Sequence, residues 1–134
     1  MSNKIINELV ATKVMDWSHQ TLMNNDEGLH YYASYWVDKD GTKQKPVNFF
    51  SPSTNLQDAW IVAEKLGIVL IPQTNGDKFN WYACDVESVS HRGDEIAIVP
   101  SNNSGIQTEL APRSICFAAL ESVGVKVDAY NTED

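Results

Sequence analysis

The sequence predicts an α+β domain in which an antiparallel sheet of about five strands carries three helices. Two observations point there. Apolar residues recur at helical spacing in three places, Ile5–Val14, Leu56–Leu66 and Ile115–Val123, with runs rich in aromatic and β-branched residues between them. Successive strand-like runs are joined by tight turn signals: Asp38-Lys39-Asp40-Gly41, Asn75-Gly76 and His91-Arg92-Gly93-Asp94. Turns this short cannot carry a crossover, so neighbouring strands are antiparallel. The predicted order is α-β-β-α-β-β-β-α.

The first helix follows from Ser2 as cap and from Ile5, Ile6, Leu9, Val10 and Val14, with Lys4, Asn7, Glu8 and Lys13 on the other side. It ends near Met15 or Trp17. Ser18–Gly28 is polar, and Asn24-Asn25-Asp26-Glu27-Gly28 within it reads as an exposed loop. His30–Val37 and Thr42–Phe50 form a hairpin, with Pro46 marking an edge or a bulge. Ser51-Pro52-Ser53-Thr54-Asn55 announces the second helix. Thr54 or Asn55 is its cap, Asp58 suits its positive end, and Gly67 stops it. Its expected apolar face is Leu56, Ala59, Trp60, Ala63 and Leu66, which makes Trp60 a core residue.

Ile68–Ile71, Phe79–Val86 and Glu95–Val99 read as a three-strand meander, followed by a loop at Asn102–Gly105. The last helix opens at Ala111-Pro112, where proline suits the first turn, and Gly124 closes it. Residues 1–127 are expected to form one domain and 128–134 a flexible tail.

Composition narrows the function classes. The chain has 134 residues, 43% hydrophobic and 21% charged, which suits one globular domain. Its net charge is −8, and Arg92 and Arg113 are its two arginines. This balance argues against duplex DNA as a partner, which needs a basic footprint. Apolar runs are too short to cross a bilayer and Met1–Met15 has no leader-type apolar core, so a cytoplasmic protein without a membrane partner is expected. Cys84 and Cys116 offer no CxxC pair and read as buried free thiols.

No catalytic or metal signature is present. His19, His30 and His91 have no paired spacing, and there is no HExxH, P-loop or GxGxxG. Cys116 sits among apolar helix residues and reads as core rather than nucleophile. The expectation is therefore a non-enzymatic protein without cofactor or metal.

Two constellations could bind a ligand. At the start of the last helix, free backbone N–H groups, the dipole and Arg113, followed by Ser114, could hold an anion. The alternative is an exposed Arg113 pairing with Glu109. The second constellation is the aromatic set Tyr31, Tyr32, Tyr35, Trp36, Trp81 and Tyr82, with Arg92 near in sequence. Its faces could stack on a nucleobase. Alternation puts Tyr32 and Trp36 on one strand face and Tyr31 and Tyr35 on the other; one set should pack under helices and the other stay exposed. The bland reading is cross-strand packing. The candidate ligand-binding residues are thus Arg113, Arg92, Trp81, Tyr82, Ser114 and Tyr35, with Ser53, Thr54 and Asn55 as a fallback anion site. The aromatic hairpin and the short strand edges also predict a homo-oligomer.

Three segments carry a family resemblance: Asn7–Met15 followed by Trp17; Phe50–Asn55 running into Asp58-Ala59-Trp60 and Glu64-Lys65-Leu66; and Ala111-Pro112 with Ile115-Cys116 and Ala118-Ala119-Leu120. Together they resemble the phage ABA sandwich domain family of small phage and prophage proteins. The resemblance implies a layered α/β/α sandwich and no shared activity or catalytic residues. It also implies a phage or prophage accessory protein in the host cytoplasm. One reading is a module that counters host defence by sequestering a small anionic, nucleotide-type signal. The other is a protein–protein module that blocks a host factor or serves the virion.

Overall fold

The computed structural model describes residues 1–75, 78–85, 89–92, 95–98 and 106–126. Among the described residues, three α-helices and eight strands follow the α+β expectation, in the order α1 (Asn3–Leu9), β1 (Ser18–Asp26), β2 (Leu29–Val37), β3 (Lys43–Pro46), α2 (Leu56–Leu66), β4 (Ile68–Asn75), β5 (Lys78–Asp85), β6 (Val89–Arg92), β7 (Glu95–Ile98), β8 (Ile106–Thr108) and α3 (Ala111–Ser122). All pairings are antiparallel. The strands do not form one sheet of about five, however. They divide into β1-β2-β3, β4-β5-β8 and β6-β7.

Local chemistry explains most boundaries. Ser2 Oγ accepts from the amide of Ile5 and caps α1. The helix then widens into a π turn over Val10–Val14, where the Met15 amide reaches back to the Val10 carbonyl. Asp16, at φ +63°, breaks it and forms an ion pair with Lys39 at 2.6 Å. Lys39 is held above its usual value, first by the hydrogen bond to Asp16 and then by that carboxylate's charge. Asn55 Oδ1 accepts from the Asp58 amide to cap α2, and Gly67 ends it in the left-handed region. The β2–β3 turn is fixed by Asp38, whose carboxylate accepts from the amides of Asp40 and Thr42.

The polar stretch Ser18–Asp26 is a nine-residue strand, and Asn24–Asp26, expected in a loop, belong to it. It pairs with β2 without a break from Ser18↔Val37 to Asp26↔Leu29. Glu27 and Gly28, both at positive φ, make the two-residue turn that right-handed strand twist favours. Polar side chains hid this strand, because both its faces are largely solvated and no alternation is required of it.

The meander also needs correction. β6 and β7 pair with each other, and β8, from the segment read as following the last strand, is the neighbour of β5. Gly76, Gly93 and Asp94 of the expected turns, the expected loop at Asn102–Gly105 and the expected tail at 128–134 lie outside the described residues, whereas His91 and Arg92, expected in a turn, end β6.

The core sits around α3. Every residue from Arg113 to Leu120 is buried. The helix packs against β4, β5 and β8 and against α2 and the π turn. Phe50, Phe117, Ile6, Ile115 and Leu120 are its largest fully buried side chains. α2 meets α3 through a seam of Ala59, Val62 and Ala63, small enough for close approach. Trp60, about 100° further round the helix, is consequently 48% exposed rather than core. Among the described residues, no helix is long and apolar enough to cross a membrane.

Candidate functional site

The start of α3 is built inward. Arg113 is only 5% exposed. Its guanidinium donates to Asn3 Oδ1 at 2.8 Å and to the Met1 carbonyl at 2.7 Å, and lies 5.2 Å from the centre of the Phe117 ring. The fork that sequence reasoning offered to an anion, or to Glu109, ties the first residues of the chain to α3. Ser114 is fully buried. Its hydroxyl donates to the Trp81 carbonyl at 2.9 Å and shares a 2.6 Å hydrogen bond with Thr108 Oγ1. It staples α3 to β5 and β8.

The fallback site at α2 already holds an anion of the chain's own. The Asp58 carboxylate, buried in the first turn, accepts from the Ser51 amide at 2.9 Å and pairs with Lys45 at 2.5 Å. Asn55 is used as the cap and the Ser53 amide donates to Asn7 Oδ1. Asp58 thus satisfies the positive end of α2 internally.

The remaining predicted residues fall in three different sheets. Trp81 and Tyr82 are half-buried on β5, where Trp81 faces Pro72 and Thr108, and Tyr82 faces Ile71 and Gln107. Arg92 ends β6 opposite Glu95; its side chain lies outside what the structure describes. Tyr35 is half-buried on β2, its hydroxyl donating to Asn24 Oδ1 at 3.2 Å. Lys43 Nζ sits 4.6 Å from the centre of that ring and donates to the same Asn24 oxygen. This trio braces β1, β2 and β3.

The aromatic row of β2 does alternate as expected, but its faces do not divide into buried and exposed. The division runs across the strand. Trp36 and Val37, at the base, are buried, with Trp36 against His19. Tyr31 and Tyr32, towards the turn, are exposed on opposite faces, Tyr32 at 74%. Leu29 (71%) and Met23, directly opposite Tyr32, complete an apolar outer half. Leu29 and Met23 escaped sequence reasoning because the segment before Leu29 read as a loop. The readable signal was Glu27-Gly28 centred between two runs of equal length.

β1 and β2 therefore form an arm whose base joins the core and whose outer half is solvated on both faces. Leu29 and Tyr31 lie on one face of this outer half and Met23 and Tyr32 on the other. Among the described residues, no three His, Cys, Asp or Glu side chains gather as a metal would require.

Comparison with known proteins fits this geometry. The sequence profile of the Phage ABA sandwich domain family matches residues 8–120. The chain belongs to the Phage ABA sandwich domain family. A phage protein from Bacillus cereus ATCC 14579, known from a crystal structure at 2.0 Å, shares the fold with a TM-score of 0.53. It is 21% identical, and the match covers 96% of this chain and 93% of that one. Among curated proteins none is significantly similar to this chain. The family match runs from the last residues of α1 through the arm and α2 to Leu120 in α3.

Cys84 and Cys116 are both buried and free. Burial pushes the Cys116 thiol far above its ordinary value of 9.0, against a smaller opposite pull from the Arg113 charge. The folded thiol stays protonated while the unfolded one ionises. Stability from this group is complete below pH 9.0 and declines above it, by about 1.4 kcal/mol per pH unit. Urea melts stepped upward from pH 9.0 should show the decline, and Cys116→Ala should lessen its slope by that amount. An unchanged slope would assign the decline to other groups.

Proposed function

We propose that this phage protein is a non-enzymatic binding module that docks on another protein through the outer half of the β1–β2 arm. The observation that carries this reading is the solvation of Met23, Leu29, Tyr31 and Tyr32 on a hairpin whose base is anchored in the core. Aromatic residues with few rotatable bonds are efficient interface anchors. The reading of a sequestered nucleotide-type anion draws no comparable support. Arg113 and Ser114 are committed to internal bonds, and Asp58 occupies the start of α2. The chain's net charge of −8 also repels an anion at long range.

Photo-crosslinking residues placed at 29, 31 and 32 should capture one defined polypeptide in infected cells. The same chemistry at Trp60 should not. Leu29→Ser with Tyr32→Ser should abolish capture while leaving stability within about 1 kcal/mol, since both side chains are exposed. Release of an intact nucleotide from denatured wild-type protein, unaffected by these arm changes, would favour sequestration instead.

A further inference from the structure

The two edges of the β1-β2-β3 sheet are built differently. β3 is four residues long, carries Lys43 and Lys45, ends in Pro46 and shifts register against β2 between Trp36 and Val37. Short length, lysine, proline and a bulge are the devices that keep an edge from pairing with another chain. β1 has none of them. It runs nine residues in unbroken register, without proline, lysine or arginine, and among the described residues β2 is its sole pairing partner. An unguarded edge of this length presents a row of backbone donors and acceptors suited to a further strand.

From the chemistry of this edge we infer that its occupant is the β1 of a second copy, paired antiparallel about a two-fold axis at Leu22. The strand matches itself under that operation. Leu22 meets Leu22, Thr21 meets Met23, Gln20 meets Asn24, His19 meets Asn25 and Ser18 meets Asp26. Amide faces amide, hydroxyl faces carboxylate, and apolar faces apolar at the axis. Charge makes the match selective. In a chain of net charge −8, β1 holds a single acid, Asp26, and this register sets it opposite a serine instead of another acid. Side chains keep their faces, so the central row becomes Ala33, Leu22, Leu22 and Ala33 across a continuous six-stranded sheet. The pairing uses the strand edge, not the outer faces of the arm, so it stands independently of the docking reading above.

Light scattering across a concentration series tests it. The wild type should reach twice the 15.0 kDa chain mass. Leu22→Lys should return the mass to that of one chain, and Leu22→Glu likewise. Mixing these two variants should restore the dimer, which a folding defect would not do. Directly opposed residues lie about 4.5–5.5 Å apart at Cα, within disulfide reach. Leu22→Cys should therefore cross-link to itself under mild oxidation. Ser18→Cys should not, but should link when mixed with Asp26→Cys. Leu29→Ser with Tyr32→Ser should leave the dimer intact. A single-chain mass up to about 1 mM would overturn the inference. So would a dimer that survives Leu22→Lys, or one in which Leu22→Cys stays unlinked.

Discussion

Arg113→Ala is expected to destabilise the protein by about 3–5 kcal/mol, because it removes a buried charge that holds two segments distant in sequence. The guanidinium bonds to Asn3 and to the Met1 carbonyl and lies over Phe117. Each hydrogen bond to a charged group contributes about 1.5–3 kcal/mol, and both acceptors would lose their donor. Arg113→Lys should recover little, since an ammonium cannot span both acceptors in the guanidinium's planar geometry. Urea unfolding monitored by tryptophan fluorescence gives the number; a loss below about 1 kcal/mol would show that the buried fork is dispensable. It follows that loss of a binding activity in Arg113→Ala would report unfolding and could not identify a ligand site.

Asp58→Ala should cost about 2–4 kcal/mol, and Asp58→Asn about half as much. Two interactions are at stake. The ion pair with Lys45 is partly solvated, the lysine side chain being 34% exposed, so screening reduces it to about 1 kcal/mol or less. The larger share comes from the bond to the Ser51 amide and from the carboxylate's position at the positive end of α2. Asparagine keeps an acceptor for that amide; alanine does not. A double-mutant cycle with Lys45→Met separates the shares. Equal losses in Asp58→Asn and Asp58→Ala would reverse this ranking and make the charge itself dominant.

The legible parts of the fold are those where the cause is local. Ser2, Asn55, Asp58, Pro112 and Gly67 each act within one turn of a helix, and each stands where the sequence placed it. The β2–β3 and β4–β5 hairpins likewise follow from nearby turn residues. What the sequence hid is tertiary. Whether Trp60 or Val62 faces the core depends on where α3 crosses α2, and both choices give a plausible apolar stripe. Arg113 reads as an exposed cation until Met1 and Asn3, more than a hundred residues away, are brought to it. β1 has no apolar period because the arm has no buried face to impose one. Of the candidate site, the aromatic row was visible, but the boundary between its buried and exposed ends was not. That boundary is set by how far the core extends along β2, which no periodicity encodes.

The arm also separates two selective pressures that most domains must satisfy with the same residues. Its tip, from Asn25 to Tyr32, adds little to the core, so substitutions there carry almost no folding penalty. The base, from Tyr35 to Val37, is fixed by packing and by the Asn24–Tyr35–Lys43 brace. A lineage can therefore rewrite the tip while inheriting the same scaffold. Sequence turnover at the tip is then free of the demands of folding, whereas constancy at the base measures them.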